Sequence, residues 1–241
     1  MPWNLRAADP VVGGEPLLSG APTEEMMRKK TLFLAAVAVS ASLTGCIRYS
    51  GHTERTLTKE VSAAGVTAIR LSFPVGEVTV VAADQPQVSL EVQIQCKYSH
   101  RCAEAARNVE IEASGQDPLR VALTGWPHSS NRGMKVRATV RVPRNTPLTA
   151  ELGVGRMTVS GVGANLSAHL GVGDVDATLP EASIASVHLA SGVGYASLRT
   201  SQGAQEGSRG LLSRSINWQK GTGKAAVQID CGVGHAKVVL R

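Results

Sequence analysis

The sequence predicts an all-β fold, a β-solenoid or β-helix-like repeat whose coils of about 20 residues turn at Gly-Val-Gly corners. Three observations carry that expectation. Gly-Val-Gly recurs at 153–155, 171–173, 192–194 and 232–234, at separations of 18, 21 and 40 residues. The residues before each copy alternate between apolar and polar. Aromatic residues make up 3% of the 241, against 25 glycines, so the expected interior is thin, aliphatic and frequently turned.

The strands follow from the flanks. Counting back by twos from the first glycine gives Leu152, Ala150, Leu148; Leu170, Ala168, Leu166; Ser191, Leu189, Val187; and Cys231, Ile229, Val227. All but Ser191 are apolar or small, and polar residues mostly lie between them. Period two places the apolar set on one face of a strand. A second strand follows each corner, as in Val175–Leu179 and Ala236–Leu240. Gly153, Gly155, Gly171, Gly173, Gly192, Gly194, Gly232 and Gly234 are expected to be structural. Glycine accepts positive φ and lets adjacent coils approach closely. The separation of 40 reads as two periods, with Gly221-Thr222-Gly223 a displaced remnant of the copy between. Val75-Gly76-Glu77-Val78 begins the same grammar upstream. Cys231 stands where other copies have Leu152 and Leu170, and reads as a free thiol packed as a small hydrophobe.

The amino-terminal third follows other rules. Arg28-Lys29-Lys30 precedes an uncharged apolar run, Thr31–Leu43, which is the order of a secretory signal and too short to span a bilayer. The run ends in Leu43-Thr44-Gly45-Cys46, which resembles the lipobox of bacterial lipoproteins. That resemblance implies cleavage before Cys46, lipid on its thiol and a membrane anchor. With Ile47 next, it also implies the outer membrane, facing the periplasm, in a Gram-negative host. Residues 1–25 carry four prolines and four acids ahead of the basic run. They read as a gene-model extension or a disordered leader, with Met26 or Met27 the expected start. The expected organisation is therefore 26–45 signal peptide, 46–59 lipidated tether, 60–143 an amino-terminal β region and 144–241 the Gly-Val-Gly region.

Export places the remaining cysteines where disulfides persist. Val88, Leu90, Val92, Ile94 and Cys96 alternate along one strand, and Cys102 lies six residues on. A Cys96–Cys102 disulfide is expected over a metal site, because no second cysteine pair or spaced histidine pair accompanies it. A short helix is expected near 102–108.

Val142-Pro143-Arg144-Asn145-Thr146-Pro147-Leu148, the Gly-Val-Gly copies, and Asn217–Gly223 ahead of the last copy together resemble the bacterial putative-adhesin β-repeat domains. The resemblance spans about 66–241 and implies an exported β-solenoid of the cell envelope. It implies fold more than function, because its motifs are glycines and alternating apolar residues.

No chemistry-bearing motif accompanies the repeat. There is no HExxH, no Gly-x-Ser-x-Gly elbow and no phosphate loop of the Gly-x-x-x-x-Gly-Lys-[Ser/Thr] type. Neither a cofactor nor a metal is expected. The net charge of +6 is carried wholly by residues 46–241, since residues 1–45 hold four cations and four acids. It is dispersed, and with so few aromatics it argues against nucleic-acid binding. Outward positions of stacked coils line up in columns, so Arg156, Asp174, Asp176 and Tyr195 are the candidate ligand face. The expected function is a non-enzymatic, lipid-anchored envelope protein that presents a β surface for adhesion, envelope organisation or binding of an envelope polymer or protein. The alternatives are a carbohydrate- or ligand-binding solenoid and an envelope stress sensor.

Overall fold

A computed structural model describes residues 52–97, 100–127, 133–207 and 213–241. The segments expected to be leader and signal peptide, and the expected box Leu43–Cys46, lie outside the described residues. The chain runs β1 (His52–Ser62), β2 (Ile69–Ala83), β3 (Gln87–Lys97), α1 (His100–Arg107), β4 (Glu110–Ser114), β5 (Leu119–Thr124), β6 (Met134–Pro143) and β7 (Leu148–Ser160). It continues through β8 (Leu166–Leu179), β9 (Ile184–Thr200), β10 (Gly203–Glu206), β11 (Arg214–Trp218) and β12 (Ala225–Leu240). Among the described residues the protein is all-β apart from α1 and a 3-10 turn at Glu181–Ser183. The 12 strands of the described residues join one mixed sheet.

The long strands β2, β7, β8, β12 and β9 form a parallel stack in that spatial order. They pair with their corners aligned, so that Gly76, Gly155, Gly173, Gly234 and Gly194 fall on one line. Each strand passes through its corner without a break in the sheet. In β7, Leu148, Ala150 and Leu152 are buried before the corner, and Met157 and Val159 after it. The inward set thus changes from even to odd residues across Gly153-Val154-Gly155. In a flat sheet that switch would send the two halves to opposite faces. Both sets instead belong to one hydrophobic core, so the sheet is folded over along the glycine line, as strands do where they pass between layers. The pairing of β2 shows the fork: Ile69–Ser72 pair with β5 and Glu77–Ala83 with β6.

The two glycines of a corner do different jobs. Only the second takes positive φ, at +142° in Gly155, +135° in Gly173, +141° in Gly194 and +136° in Gly234. The first is required by close approach. A Cβ on Gly171 would stand 2.5 Å from the Gly153 carbonyl oxygen, and one on Gly232 would stand 2.6 Å from that of Gly171. Position one of β2 is Pro74, so the upstream echo keeps only the second glycine.

Three expectations change. First, the stack does not follow chain order, because β12 lies between β8 and β9. Among the described residues of the 40-residue interval there is no degenerate copy. Instead, β10 and β11 pair antiparallel with β9 at the far end of the stack. Second, Gly221-Thr222-Gly223 is not a displaced corner but the segment that seats β12 beside β9. The N–H groups of Gly221 and Gly223 donate to the carbonyls of Ala185 and Ile184, at 3.1 and 3.2 Å. A Cβ on either glycine would lie within about 2 Å of the backbone at Ser183–Ile184. The Asn165 side chain accepts the Ala226 N–H at 2.9 Å and fixes the other flank. Third, the segment expected as tether is strand from His52 onward, paired antiparallel along the length of β3. Its apolar alternation is sparse because an edge strand buries little.

The amino-terminal region closes the near end of the stack, with β6, β3 and β1 in order beyond β2. Cys96 and Cys102 are bonded, with their Cα atoms 5.7 Å apart, and tie α1 to the end of β3. Arg55 of β1 donates to the carbonyls of Ala106, Arg107 and Val109 at 2.6, 2.7 and 3.2 Å. A cation there meets the unpaired carbonyls and the negative end of the helix dipole.

Cys231 is a free, buried thiol whose Sγ donates to the Gly173 carbonyl at 3.5 Å. Ser191, the polar exception in the repeat, does the same with its Oγ to Gly234 at 2.9 Å. Burial, and then the charge of Asp174, push the Cys231 thiol above its ordinary range. Native Cys231 is therefore expected to resist alkylation at pH 8, with labelling rising by more than about tenfold in denaturant. Site-resolved mass spectrometry of maleimide-treated protein checks this, and rapid native labelling would refute it.

Candidate functional site

Register alignment turns the residue after each second glycine, together with Arg137 opposite Glu77 on β6, into a row across the sheet. Reading from β6 to β9, the row is Arg137, Glu77, Arg156, Asp174, His235 and Tyr195. Parallel strands lie about 4.8 Å apart, so neighbouring side chains meet directly. Arg137 Nε reaches Glu77 at 3.0 Å. Asp174 is held on both sides, by Arg156 at 3.0 Å and by His235 Nδ1 at 3.2 Å. The rings of His235 and Tyr195 meet edge-on with centroids 5.5 Å apart, and the Arg214 guanidinium lies 3.9 Å over the Tyr195 ring. The hydrogen bond and charge of Asp174 hold Arg156 even more firmly protonated than a free guanidinium.

Of the four residues expected to form a ligand face, Arg156 and Asp174 are brought into contact. Tyr195 is separated from Asp174 by His235, because β12 intervenes. Asp176 lies one row further out, level with Thr158, Lys237 and Ser197. Apart from Thr158, these residues line a surface hollow of about 420 Å³. Sequence reasoning missed Arg214, which lies on the non-repeating β11. It also missed the exposed valines Val154, Val172, Val193 and Val233, each close to half exposed. Their signal was present in the motif. A strand that switches its inward set around Gly-Val-Gly leaves the middle residue outside.

A second polar cluster lies on the other half of the stack. Ser167 Oγ is 2.9 Å from His169 Nε2, and His169 Nδ1 is 3.3 Å from Asp230. Gln228 donates to the same carboxylate at 2.7 Å. The order matches the relay of a serine hydrolase, yet catalysis also needs preorganised donors for the oxyanion. Residues 166–170 of β8 are paired on both sides, with β7 and β12, and His169 is 45% exposed. The neighbouring main-chain amides are thus committed to the sheet, and water reaches the site freely. Hydrolysis of p-nitrophenyl acetate is expected to be equal within about twofold in wild type and Ser167→Ala. A Ser167-dependent burst would refute this.

Among the described residues, no three His, Cys, Asp or Glu side chains gather as a metal site, and no helix is long and apolar enough to cross a membrane. The fold and the row define an all-β protein with an exposed, ordered polar face.

No protein-family model matches the chain, and no curated protein matches it. Among solved structures it is similar to a putative cell adhesion protein from Clostridium sporogenes, at 15% identity and a TM-score of 0.48, covering 78% of this chain and 100% of that one. It is also similar to a putative adhesin from Parabacteroides distasonis, at 9% identity and TM-score 0.26, covering 76% and 97%. A putative lipid binding protein from the same species matches at 9% identity and TM-score 0.24, covering 77% and 93%. At these identities and TM-scores, the functional reading rests on this chain's own residues.

Proposed function

We propose that this chain is a non-enzymatic, lipid-anchored cell-envelope protein whose parallel stack, built as a solenoid-like rod, presents a rigid face for adhesion, envelope organisation or partner binding. The observation that carries this reading is the unbroken row from Arg137 to Tyr195. Six side chains from six strands are fixed in order by main-chain pairing, at an exposed surface. Such a row costs little to order on binding, because the sheet has already placed it. The anchor is the lipid on Cys46, and it holds the protein at the outer membrane, facing the periplasm, in a Gram-negative host. Metabolic acyl labelling and fractionation test it. Cys46→Ser should abolish the label, and globomycin should block signal cleavage while leaving the label on the uncleaved precursor; unchanged labelling of Cys46→Ser overturns the anchor.

The hollow beside the row favours a second reading, in which its alternating donors and acceptors bind sugar hydroxyls. Against that, Arg214 occupies one face of the Tyr195 ring on which a sugar would stack. Glycan-array binding that disappears in Asp174→Ala would establish the carbohydrate reading in place of the first.

A further inference from the structure

We propose that the corner face binds a second copy of this chain, with the two copies related by a twofold axis that runs along the strands between β7 and β8. The proposal deepens the reading of the row as a contact face and does not depend on the anchor.

The exposed large apolar side chains among the described residues are Val154, Val172, Val193, Val233 and Tyr195, and all five lie at the corner. The four valines are in register across β7, β8, β12 and β9. Each stands between two glycines, so the row is a line of knobs bordered on both sides by bare backbone. An identical row can mesh with it, which is the self-complementarity an isologous contact needs.

The valines alone do not choose a register; the charged row beside them narrows it. A twofold along the strands reverses the order across the sheet while keeping each row opposite its own counterpart. With the axis between β7 and β8, Arg156 meets Asp174 of the second copy, and Asp174 meets Arg156. Glu77 then meets His235, whose Nε2 is directed away from the Asp174 contact at Nδ1. Arg137 meets Tyr195, a cation facing an aromatic ring. Moving the axis onto β8 would instead set Asp174 against Asp174, and turning it across the strands would set Arg156 against Arg156. The row alternates in sign, so an axis between β2 and β7 or between β8 and β12 also avoids like charges. Only the axis between β7 and β8 sets Arg156 against Asp174 in both directions, and the mixed pair of variants below recovers only in that register. The pair within one chain does not exhaust these groups. A guanidinium has five donors and a carboxylate about four acceptor sites, and Arg156 and Asp174 remain 61% and 34% exposed.

Full-length chains carrying two different affinity tags, co-expressed and extracted in one detergent, test the pairing. Wild-type chains are expected to co-purify. Asp174→Arg with itself, and Arg156→Asp with itself, should lose about tenfold or more of that yield through like charges across the axis. Asp174→Arg mixed with Arg156→Asp should recover it, because every cross-axis pair is again opposite in sign. Val172→Glu, an outward change that leaves the ion pair intact, should abolish co-purification on its own. Unchanged circular dichroism and melting of the variants keep the comparison valid. Self-association is overturned if wild-type chains do not co-purify, if the single variants still do, or if the mixed pair does no better than they do. If wild-type chains stay apart while an envelope polymer or another protein binds in an Asp174-dependent way, self-association fails and the contact-face reading stands. If no binding depends on Asp174, both fail.

Discussion

Gly173→Ala is expected to destabilise the protein by at least about 3 kcal/mol, whereas Gly203→Ala costs about 1–2 kcal/mol. The two glycines share an unusual backbone conformation, with φ of +135° and +136°. An L side chain is strained equally in both. They differ in what surrounds them. A Cβ at 173 would lie 1.7 Å from the Gly155 carbonyl oxygen, and a Cβ at 203 meets nothing within 4 Å. The first must open the β7–β8 ladder at the fold line, and the second only strains a surface turn. Paired guanidinium denaturation curves separate the two contributions. Equal shifts would mean that backbone conformation alone requires the glycine and that close stacking does not.

Ile229→Ala should cost about 3–5 kcal/mol, near the top of the range for aliphatic truncation in a core. Ile229 is fully buried and sits in register with Ala168 on one side and Leu189 on the other. Its strand is hydrogen-bonded on both edges, so neighbouring backbone cannot move in to fill the cavity. Leu57→Ala on the edge strand β1, whose side chain is only partly buried, should cost no more than about 1.5 kcal/mol. Urea denaturation of both variants provides the check. A cost at Ile229 as small as that at Leu57 would show that the stack collapses freely around a void.

The alternation Leu148-Ala150-Leu152 made the strands legible, because a strand half buried in a core has no other period. The corners were legible in the recurrence of Gly-Val-Gly, and the contact of Arg156 with Asp174 in an interval of 18 residues that matches one step of the stack. Arg214 was not legible, because β11 belongs to no repeat and reaches Tyr195 only through its antiparallel pairing with β9. The cluster of Ser167, His169 and Asp230 was equally hidden. Its carboxylate comes from a strand some 60 residues away, and no local motif announces it.

By itself the sequence determined the strand class, the inward residues and the places where the sheet must turn, since these depend on each residue's own side chain and on spacings of two. The order of strands was decided only in three dimensions. β9 and β12 carry nearly the same pattern, and either could pair with β8. The choice falls to the seating of Gly221 and Gly223 against Ser183–Ala185, a contact between backbones that leaves no periodic trace. That choice puts His235 rather than Tyr195 beside Asp174 and so sets the order of the exposed row.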